Sequence, residues 1–172
     1  IISENINKYK VTSIYFDNIN EFSYLQKVNG DKDKIKIRAR YYNDSLNYIN
    51  LEAKIKYSDK SYKLKSRLTE DKLYSLIKNN YLDIDGVDSN LKKIYYYLRY
   101  FGMQKYINIE YQRIEMILKS QNKIRLTIDY DVFSALNIGK KVNNIRCVNK
   151  DLCILEIKAD NNLVEKYIKF VL

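Results

Sequence analysis

The fold is decided by the stretch Lys34-Ile35-Lys36-Ile37-Arg38-Ala39-Arg40-Tyr41-Tyr42. Successive side chains of a strand point to opposite faces, so the lysines and arginines share one face and the largely apolar residues share the other. Like charges side by side on a sheet repel one another, so a cationic face lies either against water or against an anion. The stretch therefore predicts a strand with one apolar and one cationic face. It does not decide whether the cationic face lies against water or against an anion.

The length and composition of the chain bound the class of protein. A chain of 172 residues predicts one domain, spanning residues 1–172, and its 46% hydrophobic and 30% charged residues exclude an intrinsically disordered protein. The formal net charge of +10 favours polyanionic partners. Lysine and tyrosine are abundant while His, Trp and Pro are absent, which indicates a compositional bias. An arginine is therefore stronger evidence for a polyanion-binding site than a lysine.

The chain has no feature of a membrane or secreted protein. It contains no run of eighteen apolar residues and no signal-peptide layout, so we expect a cytoplasmic protein. It begins at Ile1, and we expect a fragment of a longer domain. The only two cysteines, Cys147 and Cys153, could close a hairpin disulfide, although buried free thiols are the favoured interpretation. With no histidine, a Cys/His zinc site is excluded.

Alternation and capping signals predict further elements along the chain. The residues from 134 to 145 are turn-rich and give no clear pattern. Strands are predicted at 11–16, 34–42, 48–57, 62–67, 105–118, 123–131 and 153–158, and helices at 20–28, 69–79, 88–101 and 161–170.

Several of these strands repeat the charged face of 34–42. Their charged faces could all look into solvent, or they could line the interior of a barrel and form a cationic tunnel. In a tunnel, arginine would hold phosphate oxygens with paired hydrogen bonds, and carboxylates would hold a divalent metal. The charged sides of the later strands carry Glu52, Lys54 and Lys56, then Lys63, Lys65 and Arg67, then Arg125, Thr127, Asp129 and Asp131, and finally Glu156 and Lys158.

Seven motifs, in order along nearly the whole chain, resemble the vacuolar transporter chaperone (VTC) domain. This domain belongs to the triphosphate tunnel metalloenzymes, which are relatives of the CYTH proteins. The motifs are Ser13-Ile14-Tyr15-Phe16-Asp17, Lys36-Ile37-Arg38-Ala39-Arg40-Tyr41-Tyr42, Leu51-Glu52-Ala53-Lys54, Lys63-Leu64-Lys65-Ser66-Arg67, Tyr111-Gln112-Arg113, Arg125-Leu126-Thr127-Ile128-Asp129 and Leu155-Glu156-Ile157-Lys158.

The resemblance implies an α+β fold in which eight antiparallel strands form a barrel-like tunnel with flanking helices. It implies binding of ATP, triphosphate or polyphosphate, and a polymerase that transfers the γ-phosphoryl group of ATP to polyphosphate with Mn²⁺ or Mg²⁺. No specific nucleic acid partner is implied. Carried over to this chain, the catalytic phosphate-gripping residues are Arg38, Arg40, Lys54, Lys65, Arg113 and Arg125, further phosphate ligands are Lys36, Lys63, Arg67 and Lys158, and the metal ligands are Glu156 and Glu52.

Two departures from the family pattern keep other functions open. The family begins with a strand that carries a Glu-x-Lys arrangement and ends with a lysine-bearing strand, and neither is found here. We therefore expect a tunnel that lacks its first and last family strands. A triphosphatase and a non-catalytic module that binds polyphosphate or nucleotide remain alternatives, and a domain that stacks single-stranded nucleic acid on its tyrosines is a third.

Overall fold

The computed structural model describes residues 6–117, 125–138 and 141–158. Over these residues the chain forms an α+β fold with one mostly antiparallel sheet of eight strands and three helices. The strands are β1 Ile6–Asp17, β2 Lys34–Tyr42, β3 Ser45–Tyr57, β4 Lys60–Leu68, β5 Gln104–Ile117, β6 Arg125–Ile138, β7 Lys141–Arg146 and β8 Ile154–Lys158, and the helices are α1 Phe22–Val28, α2 Glu70–Asn79 and α3 Ser89–Tyr100.

The strand order across the sheet is β4-β3-β2-β1-β5-β6-β7, with β8 also paired to β6. β6 has two partners on one edge, because its first half pairs with β8 and its second half pairs with β7. In the part of the chain that the structure describes, hydrogen bonds do not join β4 to the β7/β8 edge. The predicted antiparallel sheet is therefore present, and over these residues its hydrogen-bonded ladder is open.

The apolar face of the sheet packs against α2 and α3. Fully buried residues of β2 and β3 such as Ile37 and Leu51 form one core with Leu76, Ile94 and Leu98 of the helices. This burial holds the helices in place, because short helices gain most of their stability from packing. In the described ranges, α2 and α3 do not cover the other face of the sheet, which carries the predicted cations.

Side-chain caps define where α2 and α3 begin. The Thr69 hydroxyl accepts a hydrogen bond from the Lys72 backbone N–H at 3.4 Å, and the Asp88 carboxylate accepts from Asn90 and Leu91. Both helices lie where their capping signals predict. None of the helices in the described ranges has the length and apolar composition needed to cross a membrane.

The predicted boundaries of β2 are confirmed, whereas the interpretation of residues 134–145 is wrong. β6 continues to Ile138 and β7 covers Lys141–Arg146. The alternation is broken by a bulge next to Asp131, which has a positive φ of 50°. Ser120-Gln121-Asn122 predicts a hairpin turn between the strands at 105–118 and 123–131, but this turn and the predicted helix at 161–170 lie outside the described residues.

The same bulge corrects the predicted face of Asp131. Beyond Asp129 the parity of β6 shifts, so Val132 packs with Val11 and Tyr111 on the cation-bearing side of the sheet. Asp131 instead forms an ion pair with Arg146 at 2.9 Å.

The expectation of buried thiols is also wrong. Cys147 and Cys153 are free and exposed, because both lie in the connection between β7 and β8 at the edge of the sheet.

Candidate functional site

The cross-strand register places all of the predicted site residues on one face of the sheet, which we call the cationic face. Directly paired residues of neighbouring strands share a face. One row runs from Tyr15 through Arg38 and Glu52 to Lys65. The members of this face from the predicted set are Lys36, Arg38, Arg40, Glu52, Lys54, Lys63, Lys65, Arg67, Arg113, Arg125, Glu156 and Lys158.

Arg38 is fixed by two neighbours on this face. Its Nε and Nη2 atoms lie 2.9 and 2.8 Å from Glu52 Oε2, and its Nη1 donates to the Tyr15 hydroxyl at 3.3 Å. Lys63 Nζ lies 2.7 Å from the other oxygen of Glu52. Burial alone would raise the pKa of Glu52, but the hydrogen bonds and charges of Lys63 and Arg38 outweigh it and lower that pKa below its ordinary value. Glu52 is therefore a carboxylate that orients two cations.

Arg40 is held by neutral hydroxyl groups. Its Nε donates to Ser13 Oγ at 3.0 Å, and its Nη2 contacts the Tyr111 hydroxyl at 3.2 Å from across β1. Burial raises the pKa of Tyr111, so its hydroxyl stays protonated at neutral pH. Among the described residues, no carboxylate forms an ion pair with Arg40. This guanidinium is thus positioned without being neutralised.

Arg113 has a different environment, because it forms a two-pronged ion pair with Asp129. Its Nε and Nη2 atoms lie 2.6 and 2.7 Å from the two carboxylate oxygens. Each side chain is only 12% exposed, and the hydrogen bonds that Arg113 donates to Asp129 raise the pKa of Arg113. The paired Nε and Nη2 donors of Arg113, which could grip a phosphate with two hydrogen bonds, are therefore already engaged by Asp129.

Glu156 lies in a polar row with Thr127 and Glu115, which are its neighbours across β8, β6 and β5. The Thr127 hydroxyl is 3.5 Å from Glu156 Oε2, and Lys158 Nζ is 3.3 Å from Oε1. Burial would raise the pKa of Glu156, but Lys158 and the nearby arginines reverse the effect and lower it. Its side chain is 45% exposed against 8% for Glu52, so Glu156 is the more accessible of the two predicted metal ligands.

The remaining predicted residues lie on the same face with fewer contacts. Arg67 stacks on the Tyr48 ring, with 3.4 Å from the guanidinium carbon to the ring centroid, and Arg125 Nη1 is 3.4 Å from Glu115 Oε1. In the described ranges no group of three or more acidic, Cys or His side chains converges on one point. The ladder brings the residues of β1, β2, β3 and β5 side by side, but it leaves β4 and β8 at opposite edges.

Seven residues that complete these contacts were not among the predicted site residues. They are Ser13, Tyr15, Tyr48, Tyr111, Glu115, Thr127 and Asp129. Alternation in β1 would have placed Ser13 and Tyr15 on the face of the cations once the register with β2 was known. Tyr111 and Asp129 both stand in recognised motifs, but neither motif indicates that Asp129 is the partner of Arg113.

Comparison with solved structures finds a protein that shares the fold of this chain. The crystal structure of a proposed adenylate cyclase from Bacillus halodurans superposes with a TM-score of 0.59 at 9% identity, covering 95% of this chain and 73% of that one. The PH1819 protein from Pyrococcus horikoshii OT3 gives a TM-score of 0.44 at 14% identity, over 97% of this chain and 74% of that chain.

Sequence comparison identifies the family. A search of curated proteins gives no significant match. The family model of the VTC domain, in contrast, matches residues 2–171. The match includes every described strand and helix, and with them the whole cationic face. The chain therefore belongs to the VTC domain family.

Proposed function

We propose that this domain binds triphosphate groups on its cationic face and transfers the γ-phosphoryl group of ATP to inorganic polyphosphate. The observation that carries the proposal is the adjacent pair Arg38 and Arg40, which neighbouring side chains hold on one face of β2. Among the described residues no carboxylate pairs with Arg40, and hydrogen bonds to Ser13 and Tyr111 fix the direction of its guanidinium group. Such a group binds a polyanion with little loss of side-chain freedom.

The proposal includes a tunnel formed by curvature of the sheet around the cationic face. Eight strands is the number at which small barrels close, and the fold shared with the Bacillus halodurans protein is consistent with that shape. Enclosure would exclude water and strengthen each contact between the cations and phosphate.

A divalent metal fits the surroundings of Glu156. Mg²⁺ and Mn²⁺ are commonly held by one or two carboxylates together with phosphate oxygens and water, so a single accessible carboxylate is enough. Glu52 fits less well, because both of its oxygens already accept hydrogen bonds from cations. When bound, the ion would neutralise charge on the phosphate oxygens.

The residues of the cationic face suit an in-line phosphoryl transfer. A terminal oxygen of polyphosphate forms a bond to the γ-phosphorus, and the bond between that phosphorus and the oxygen bridging to the β-phosphate breaks, so ADP leaves. Arg38, Arg40 and the lysines would align the two phosphates and stabilise the charge on the transferred group. Phosphoryl transfer depends mainly on positioning and electrostatics, so the lack of histidine is no obstacle.

A second candidate function is a module that binds polyphosphate or nucleotide without turnover. It is favoured by the Arg113–Asp129 pair, because a guanidinium held by a carboxylate contributes less to a transition state. A triphosphatase would use the same face with water as the phosphoryl acceptor.

The test compares the wild-type chain with Glu156→Ala in ATP, polyphosphate and Mn²⁺ or Mg²⁺. For the polymerase we expect metal-dependent lengthening of polyphosphate by the wild type. We expect Glu156→Ala to lose this activity and still bind tripolyphosphate. A wild type that binds tripolyphosphate but never turns ATP over would support the binding module, and release of free phosphate without chain growth would support the triphosphatase. Displacement of tripolyphosphate by single-stranded DNA at equal phosphate concentration would favour the nucleic-acid alternative.

A further inference from the structure

Two helices, α1 and α3, leave large apolar and aromatic side chains exposed, and we call this region the α1/α3 surface. It includes Ile19 in the turn before α1, Leu25 and Val28 on α1, and Tyr96 and Tyr100 on α3. All five are between 43% and 86% exposed. Single exposed apolar residues are normal on a protein surface, whereas a contiguous group of them marks a contact site.

Aromatic contacts join the two helices into one continuous surface. The Phe22 ring of α1 stacks on Phe101 at the end of α3, with 5.0 Å between the ring centroids. Phe101 packs against Tyr100 at 4.9 Å, and Tyr100 stacks on Tyr96 at 5.7 Å. The Asn18 side-chain amide donates to the Phe101 carbonyl at 3.1 Å, which ties the turn before α1 to the end of α3. The exposed side chains of α1 and α3 are therefore neighbours in the folded chain.

The α1/α3 surface also carries a positive charge. Its exposed cations are Lys27 of α1 and Lys92, Lys93 and Arg99 of α3. Helical periodicity places the three cations of α3 on the same side as Tyr96 and Tyr100, opposite the buried side of that helix. Neither helix contains an acidic residue. The surface therefore complements an anionic partner.

The acidic residues next to the two helices in sequence offset little of this charge. Those that other elements hold by hydrogen bonds are Glu21 with the Tyr106 hydroxyl, Asp33 with the Ser58 backbone N–H, and Asp88 with the Ser66 hydroxyl. Asp31, in the turn after α1, offsets at most one of the four cations. A net positive charge thus remains beside the exposed apolar side chains.

The composition of the α1/α3 surface favours a lipid bilayer over other anionic partners. Lysine is depleted in protein–protein interfaces, yet it supplies three of the four cations here. Nucleic acids bind through charge and stacking, which gives no role to exposed aliphatic side chains such as Ile19 and Val28. At a bilayer, aliphatic side chains enter the boundary of the acyl chains, tyrosine lies at the level of the headgroups, and lysine is attracted to anionic lipids.

We propose that the α1/α3 surface binds the surface of an anionic lipid bilayer as a peripheral contact. The inference is independent of the proposed function. Because α3 packs on the apolar face of the sheet, it lies on the opposite side from the cationic face. The cationic face therefore stays accessible to phosphate while the α1/α3 surface is bound to lipid.

The experiment measures co-sedimentation of the full chain with vesicles. One set contains phosphatidylglycerol and phosphatidylcholine in equal amounts, and the other contains phosphatidylcholine alone. Tripolyphosphate is present throughout, so that the cationic face is occupied and cannot hold the lipid headgroups. We expect binding to the anionic vesicles, much weaker binding to the neutral ones, and a decrease in binding as the salt concentration rises.

Two variants with matched controls locate the contact. Val28→Ser removes an aliphatic side chain from the α1/α3 surface, and Lys93→Ala removes a cation. Their controls are Leu152→Ser and Lys150→Ala, which make the same kinds of change at exposed positions between β7 and β8, at the far edge of the sheet. We expect each surface variant to weaken binding to the anionic vesicles about fivefold. Each control should weaken it less than about twofold.

Each outcome supports or overturns the bilayer contact. A wild type that does not bind anionic vesicles, or that tripolyphosphate releases from them, would overturn it. Equal losses in Lys93→Ala and Lys150→Ala would indicate attraction by net charge and would also overturn it. Weaker binding of polyglutamate by the surface variants, with unchanged vesicle binding, would assign the surface to an acidic protein instead. Because the two surface variants lie on different helices, either one decides the test if the other fails to fold.

Discussion

Arg38 and Glu52 face each other across β2 and β3, and the Glu52 carboxylate binds Lys63 with its second oxygen. Glu52 is thus buried among cations that it orients, and it stands in the row that runs from Tyr15 to Lys65. A carboxylate in this position lowers the repulsion between the cations around it. The relationship makes Glu52 an organiser of the cationic face.

Replacement of Glu52 by glutamine should destabilise the protein. Glutamine has nearly the same shape, but it loses the charge that Arg38 and Lys63 contact, so we expect a loss of about 2 kcal/mol in the free energy of unfolding. Urea denaturation measures the change. Asp85→Asn, at an exposed loop position, serves as the control and should change the free energy by less than about 0.5 kcal/mol. Equal effects of the two variants would contradict an orienting role for Glu52.

The contribution of Glu52 to stability should depend on pH. Its pKa is lower in the folded protein than in the unfolded chain, so the stabilisation is present above the unfolded value of about 4.3 and is lost as the pH falls through the folded value. We expect the difference in unfolding free energy between wild type and Glu52→Gln to be constant from about pH 7 to 5 and to shrink below about pH 4. If the difference in unfolding free energy between the two proteins grew on acidification, the pKa of Glu52 would be raised and not lowered in the folded protein, which would contradict this prediction.

Replacement of Arg40 by alanine should weaken phosphate binding strongly. Arg40 carries an uncompensated charge that Ser13 and Tyr111 hold in place, so we expect the affinity for tripolyphosphate to fall at least about tenfold. Arg38→Ala should also reduce the affinity. Lys72→Ala removes a cation of α2 on the far side of the sheet and should have less than about a twofold effect. Similar losses at Arg40 and Lys72 would indicate attraction by net charge rather than a focused site.

Removal of the Asp129 charge should release Arg113. In Asp129→Asn the guanidinium loses its two-pronged carboxylate partner, so we expect tighter binding of tripolyphosphate, by roughly threefold, together with lower stability. Calorimetry and urea denaturation on one preparation measure both quantities. Weaker binding in Asp129→Asn, with the fold retained, would mean that Arg113 needs Asp129 to hold it in its binding position.

The arrangement of the cationic face was partly predictable from the sequence. The alternation in 34–42 predicted the strand and the sharing of one face by Arg38 and Arg40, because side-chain direction in a strand is a local property. The pairing of Arg113 with Asp129 was not predictable in the same way. It depends on the register of β5 against β6, and the turn predicted at 120–122 does not fix the turn type on which that register depends.

The parity of β6 beyond Asp129 was unpredictable for another reason. A bulge inserts one residue and reverses the alternation, and Asp131 with its positive φ carries no sequence mark that separates it from an ordinary strand aspartate.

The division of β6 between two partners makes this part of the domain modular. The segment that carries Arg125, Thr127 and Asp129 depends on β8, while the segment beyond the bulge depends on β7. The bulge at Asp131 separates the two, so the length of the β7 hairpin can vary without altering the register of the charged row. Insertions or sequence drift around β7 could therefore accumulate during evolution while Glu156 stays aligned with Thr127.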